Sequence, residues 1–183
     1  MNYYIDIKLL SNKEIRENVL LNQVYTEFHR RLYDINSTNI GISFPNYKLK
    51  LGNIFRIHGC KETLERLNEK DWLGRLQGFC NVSGIKAIPK HVQYRTVSRL
   101  QQTMSQSKLR RLVKRGTIHE VDMKKYQLKM LQGGLKNPYV ELVSMSNKQL
   151  HRRFIAFGLL QDEAVEGEYD TFGLSKIGTI PWF

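Results

Sequence analysis

Between Asp71 and Glu120 the chain carries no carboxylate, yet it holds ten Lys and Arg side chains. A run of this kind cannot neutralise itself through local ion pairs, and burying unpaired cations is costly. This split of charge suggests an N-terminal scaffold followed by a basic middle that contacts a partner. The rest of the charge is graded in the same sense. Residues 1–91 hold 14 basic and 9 acidic side chains, residues 92–153 hold 14 and 3 (Glu120, Asp122, Glu141), and residues 154–183 hold Lys176 against five carboxylates. A net charge of +12 concentrated in the middle of 183 residues points to a polyanionic partner, nucleic acid or an acidic membrane surface. With no apolar run of about 18 residues, no membrane span is expected. The opening Met1-Asn2-Tyr3-Tyr4-Ile5-Asp6 has neither a basic leader nor a long apolar stretch, so no secretory signal is read and a cytoplasmic location is expected. Cys60 and Cys80 stand apart, form no C-x-x-C pair, and fit neutral thiols in a reducing compartment.

Residues 1–91 read as β-α-β-β-α-β. Tyr3, Ile5, Ile7 and Leu9 alternate with Tyr4, Asp6 and Lys8 at strand period. Asn12 is placed to cap a helix from about Lys13, with Glu14 in its first turn and Ile15, Val19, Val24, Phe28 and Leu32 as its apolar stripe. Ile40–Phe44 and Asn53–His58 are the next strands, and a second helix carrying Leu64 and Leu67 runs to about Trp72. Either Gln77–Val82 or Ile85–Ile88 supplies the fourth strand. That order is the ferredoxin-like, or RRM-like, arrangement of an α+β domain, although a fold alone does not give a function. Residues 92–183 form a smaller, mixed C-terminal region. Ser105 or Ser107 is placed to cap a basic helix ending at Gly116, Asp122–Gln132 is a second helix stopped by Gly133-Gly134, Val140–Ser146 and Arg152–Leu159 are strands, and Gln161–Asp170 is an acidic exposed turn.

The basic helix has two faces. Leu109, Leu112 and Val113 fall at i, i+3, i+4 and can dock on the body. Lys108, Arg111 and Arg115 lie on a different face, widened by Arg110 and Lys114. Like charges at this density repel unless phosphates lie between them. The deep, narrow major groove of A-form RNA brings phosphates that close together. Upstream, Arg99 and Gln101 alternate along an extended segment and point the same way; Arg suits guanine and Gln suits adenine, but both residues are also ordinary on surfaces.

The five histidines, His29, His58, His91, His119 and His151, show no metal-binding spacing, and no D-x-D pair accompanies them, which gives little support to a two-metal nuclease. RNA can instead be cut by its own 2′-OH when a base removes the 2′ proton and the hydroxyl is held in line. His29, beside Phe28 and followed by Arg30-Arg31, is the leading base candidate; a structural histidine at a helix edge is the alternative. Ser144 and Ser146 share one face of their strand with Val140 and Leu142, either to hold a ribose and phosphate or as ordinary strand hydroxyls. Phe172–Gly178 is a glycine-containing turn that can approach phosphate.

Several of these segments, in this order, resemble the repeat-processing endoribonucleases of type I-F, or Csy-type, CRISPR systems over essentially the full length. They are Tyr4–Ile7, Phe28-His29, Ile40–Pro45, Arg56–His58, Tyr94–Arg99, the Arg-rich helix, and the ending Gly173–Lys176 with Pro181-Trp182-Phe183. The resemblance implies an N-terminal ferredoxin-like domain and a C-terminal domain that grips an RNA stem-loop. It implies that His29 is the base and that Ser144 holds the nucleophilic 2′-OH. It further implies that Arg99 and Gln101 read bases at the foot of the stem, while Arg110, Arg111, Lys114 and Arg115 follow its phosphates. Cleavage just 3′ of the stem without metal or cofactor is implied, leaving a 2′,3′-cyclic phosphate and a 5′-OH. The protein, otherwise a monomer, then stays on the crRNA among the other Csy-type surveillance subunits. Two departures stand out. Phe172 occupies the place of the family's active-site tyrosine, and His151 that of an aromatic residue stacking on the terminal base pair. The missing hydroxyl keeps open an alternative, a catalytically silent subunit that binds the crRNA hairpin.

Overall fold

The computed structural model describes residues 1–11, 15–101, 106–132, 137–143 and 149–183. The alternating N-terminus forms β1 (Tyr3–Leu9), whose inward side chains Ile5, Ile7 and Leu9 are buried. The expected helix follows, but α1 spans Glu17–Ile35. Asn12, Lys13 and Glu14 lie outside the described residues, while Ile15 and Arg16 precede the helix, with Arg16 extended at its cap position. Glu17 takes the first turn, where the helix end is partially positive. The buried face is Leu20, Leu21, Val24, Tyr25, Phe28, Leu32 and Ile35, whereas Val19 is 42% exposed. Val19 precedes Phe28 by about 2.5 helical turns and so faces the opposite way.

β2 (Gly41–Ser43) and β3 (Ile54–Gly59) match the expected strands. α2 covers Lys61–Asn68 and stops short of Trp72. Its terminal carbonyls at Arg66 and Leu67 accept hydrogen bonds from the buried Arg31 guanidinium of α1, a cation at the negative end of a helix. The Asp71 carboxylate then accepts the Gly74 N–H at 3.1 Å and opens a 3₁₀ turn, Gly74–Phe79. That turn takes up Gln77–Phe79, which had been expected in a strand. Both candidate fourth strands exist, as β4 (Cys80–Val82) and β5 (Lys86–Ala87), pairing with opposite ends of β1. The resulting antiparallel sheet has the order β2-β3-β1-β4, with β5 also on β1.

The second half continues with β6 (Gln93–Arg95), β7 (Val97–Leu100), α3 (Gln106–Lys114), α4 (Glu120–Gln132), β8 (Tyr139–Val143), β9 (Leu150–Phe157) and β10 (Ile180–Trp182). β7, β9 and β8 make a three-stranded antiparallel sheet, and β6 pairs with β10. Ser107 lies inside α3 and is not its cap, and Ser105 is outside the described residues. The end is as expected. Gly116 has φ +69°, and the Thr117 N–H reaches back to the Leu112 carbonyl, a left-handed stop that favours glycine. The expected stop at Gly133-Gly134 falls outside the described residues. β9 begins two residues early and ends at Phe157, because the Gly158 carbonyl is taken by the Arg95 guanidinium at 2.6 and 3.0 Å. The acidic turn is exposed through Glu168, but Tyr169 is buried and donates to the Thr179 carbonyl at 2.8 Å.

One apolar cluster joins the two halves. Tyr25, Phe28, Phe44 and Phe55 meet beneath α1 with ring centroids 5.1–6.4 Å apart, and Val97, Val140, Leu142, Ile155, Leu174 and Ile180 complete the cluster. Arg56 locks β3 to β1 and to the last residue. It grips Asp6 through two hydrogen bonds, at 2.6 and 3.0 Å, donates to the Phe183 carbonyl at 2.8 Å, and lies over the Phe183 ring.

His58 of β3 is fully buried, with Nε2 2.8 Å from Ser43 Oγ. Burial, reinforced by Arg56, pushes its pKa from 6.5 down to about 3. Its contribution to stability is therefore complete above pH 6.5 and is lost as the pH falls toward about 3, because the unfolded chain then binds the extra proton. Replacing His58 by Gln, which does not titrate, should flatten the loss of unfolding free energy between about pH 7 and about pH 5 in denaturant titrations. Parallel slopes for the two proteins would contradict this.

Candidate functional site

The site is assembled by a turn near the C-terminus. Asp170 is its pivot. One carboxylate oxygen accepts the N–H groups of Phe172 and Leu174 at 2.9 and 3.0 Å, and the Asp170 carbonyl accepts the Gly173 N–H at 2.8 Å. A side chain that holds several backbone donors is the usual way aspartate stabilises a turn. Gly173 has φ +69°, and a Cβ there would lie 2.9 Å from Ile42 Cγ2; only glycine fits both the dihedral and the space. The turn is fastened to the first half twice: the Gly173 carbonyl accepts the Ile42 N–H at 3.1 Å, and the Tyr25 hydroxyl donates to the Phe172 carbonyl at 2.9 Å.

This docking delivers Thr171 and Phe172 to His29. His29 Nδ1 is 2.7 Å from the Thr171 carbonyl, and the imidazole lies flat on the Phe172 ring, with centroids 3.5 Å apart and planes 13° apart. A carbonyl only accepts, so Nδ1 carries the proton and Nε2 keeps the lone pair in the neutral ring. Burial lowers the His29 pKa below 6.5. The Thr171 hydrogen bond and Asp170 act upward, while Arg153 and Arg30 act downward. The net result is an imidazole held neutral with a defined proton-accepting nitrogen, which is what a general base requires.

Beside it, Arg99, Gln101, Arg153, Asp170, Leu174, Ser175 and Lys176 line an open cleft of about 190 Å³. The sequence-predicted pair Arg99 and Gln101 thus shares one cleft. Arg153 lies at the Phe172 ring, with Cζ 3.4 Å from its centroid and Nη1 3.8 Å from Asp170. His151 is half-buried on β9 opposite Leu142, two residues from Arg153 and so on the same strand face. Ser144 and Ser146 lie outside the described residues. On α3, Leu109 is 2% exposed while Lys108, Arg110 and Arg111 are exposed, as are Lys114 and the following Arg115. The expected docking and solvent faces are thus both present, with Leu112 and Val113 half-buried. Sequence reasoning missed Tyr25, Arg153, Asp170 and Thr171. For Arg153 a signal existed: it shares strand parity with Ile155 and Phe157, a cation on an apolar face.

Comparison with known proteins decides the family. The model of the family described as CRISPR-associated protein (Cas_Csy4) matches residues 4–183. The chain belongs to the Cas_Csy4 family. Two relatives carry the name CRISPR-associated endonuclease Cas6/Csy4. The one from Escherichia coli (strain UTI89 / UPEC) is 32% identical over 184 residues, and the one from Pseudomonas aeruginosa (strain UCBPP-PA14) is 33% identical over 187, each match covering both chains in full. The Cas_Csy4 match therefore spans both α1, which carries His29, and the Asp170 turn that meets it.

The pivot role of Asp170 in this Cas_Csy4 protein can be measured. Asp170→Ala removes the acceptor of two backbone N–H groups and should cost on the order of 1–2 kcal/mol in urea unfolding. Asp170→Asn, which keeps a carbonyl oxygen there, should cost less. Equal losses in the two variants would assign the effect to charge rather than to the turn.

Proposed function

We propose that this protein is a metal-independent endoribonuclease that binds and cuts the repeat stem-loop of a CRISPR transcript, then stays on the 3′ hairpin of the crRNA within a surveillance complex. The observation that carries this reading is the His29 imidazole, tautomerically fixed by Thr171, held neutral, and set beside a cleft lined by Arg99, Gln101, Arg153 and Lys176. Full-length similarity to relatives named as CRISPR-associated endonucleases supports it. In the proposed reaction His29 Nε2 takes the 2′ proton of the nucleotide 5′ to the cut. The 2′ oxygen bonds to the adjacent phosphorus, the bond to the 5′ oxygen breaks, and that oxygen takes up a proton. The products are a 2′,3′-cyclic phosphate and a 5′-OH. Ser144 is proposed to hold the 2′-OH, with Ser146 near the phosphate.

The binding roles follow the same logic. Lys108, Arg110, Arg111, Lys114 and Arg115 present positive charge toward the stem phosphates, and Leu109 anchors their helix. Arg99 and Gln101 contact bases at the foot of the stem, and His151 lies against its last pair. The scaffold is proposed to be a ferredoxin-like domain over 1–91 followed by an RNA-binding domain over 92–183. The sheet order β2-β3-β1-β4, drawn wholly from the first segment, supports that division. Phe172 has no hydroxyl to offer the reaction, which favours as second reading a subunit that binds the hairpin without cutting it.

A labelled repeat RNA separates these readings. The parent protein should cut it in EDTA as well as in magnesium. His29→Ala should slow cutting by about 10²–10⁴-fold with affinity nearly unchanged. Tight binding without product from the parent would establish the silent subunit. Loss of cutting in EDTA that magnesium restores would overturn metal independence.

A further inference from the structure

Among the described residues three arginines are buried: Arg31, Arg56 and Arg153. Two have evident work in the fold, Arg31 on the carbonyls ending α2 and Arg56 on Asp6 and Phe183. Arg153 differs. It is 6% exposed, its Nε has no hydrogen-bond partner, and its carboxylate neighbour Asp170 is 3.8 Å away, beyond a hydrogen bond. A desolvated guanidinium with an unsatisfied donor is costly, and the contacts that offset this are the long ion pair with Asp170 and the face of Phe172, 3.4 Å from Cζ. A cation on a ring face is an attraction that grows with desolvation. The same ring is the surface on which His29 lies.

We propose that Arg153 is a positioning residue for His29: from β9 its guanidinium seats the Phe172 ring flat against the imidazole, fixing the angle at which Nε2 meets the RNA. The backbone of Phe172 is fixed without it, by Asp170 at the N–H and Tyr25 at the carbonyl. What Arg153 sets is therefore the ring, which has no hydroxyl with which to anchor itself. The charges around His29 agree with this. Arg30, itself paired with Glu27, stands on the same helix, Asp170 on the turn, and Arg153 on the sheet. Of these Arg153 and Arg30 disfavour the imidazolium and Asp170 favours it. Arg153 thus keeps the lone pair available as well as aimed. The proposal rests on His29 being the base.

The test uses the full chain with Arg153→Met, which keeps length and apolar character, and Arg153→Lys, which keeps the charge. The His29 ring is titrated by NMR in the free protein, and single-turnover cleavage of saturating repeat RNA is followed against pH. Arg153→Met should move the His29 midpoint upward, move the acid limb of the cleavage profile the same way, and slow cleavage at saturating RNA on the order of 10–10²-fold, beyond any loss of affinity from the cleft lining. Arg153→Lys should return the midpoint toward that of the parent. A His29 titration in Arg153→Met that superposes on the parent's overturns the proposal, as does a loss confined to RNA affinity. A shifted titration with an unmoved cleavage profile upholds the link from Arg153 to His29 and removes His29 as the base. Should Arg153→Met not fold, Phe172→Leu removes the bridging ring and should raise the midpoint in the same way; no change there also overturns the proposal.

Discussion

The hydrogen bond from the His29 ring to the Thr171 carbonyl spans 142 positions of sequence, and the rest of the site depends on it. It forms only if the Asp170 turn docks on α1. That docking needs Gly173, whose conformation and contact with Ile42 exclude a side chain, and the Tyr25 hydroxyl, which meets the turn from within the aromatic core. The same bond fixes which ring nitrogen bears the proton. Packing, backbone conformation and acid–base chemistry therefore converge on one carbonyl.

The chain meets its excess of positive charge in two ways. Most of the described cations remain in water, as on α3, where the buried Leu109 and the half-buried Leu112 and Val113 form the docking side and the basic side chains are exposed. Three described arginines are taken inside, each against a specific partner: helix-end carbonyls for Arg31, a carboxylate for Arg56, an aromatic ring for Arg153; Arg95 is half-buried among aromatic rings. The exposed group suits a polyanion because phosphates relieve its self-repulsion. The inner group serves the scaffold and, at Arg153, the site.

Much of this was legible in the residues. The alternation of Tyr3–Leu9 identified the first strand, and the two faces of the basic helix together with Gly116 gave its docking side and its end. Local periodicity failed where tertiary contacts set the boundaries. α1 starts at Glu17, and α2 ends where Arg31 claims its carbonyls. β6 and β10, of three residues each, are too short for any period to show. The site was half visible. His29 and Phe172 could be named from the resemblance, but their stacking, the acceptor at Thr171 and the pivot at Asp170 come from chain segments that meet only in the fold. A buried cation such as Arg153 is visible in sequence only as an exception to strand alternation, and an exception does not state its purpose.

The central claim concerns where the proton goes and which oxygen attacks. The most direct measurement is the end chemistry of the RNA that the protein produces, determined by mass spectrometry of both fragments. A 2′,3′-cyclic phosphate on the upstream fragment and a 5′-hydroxyl on the downstream one are the result this account predicts. A 3′-hydroxyl paired with a 5′-phosphate would mean that water, not the neighbouring sugar, attacked the phosphorus, and would contradict it.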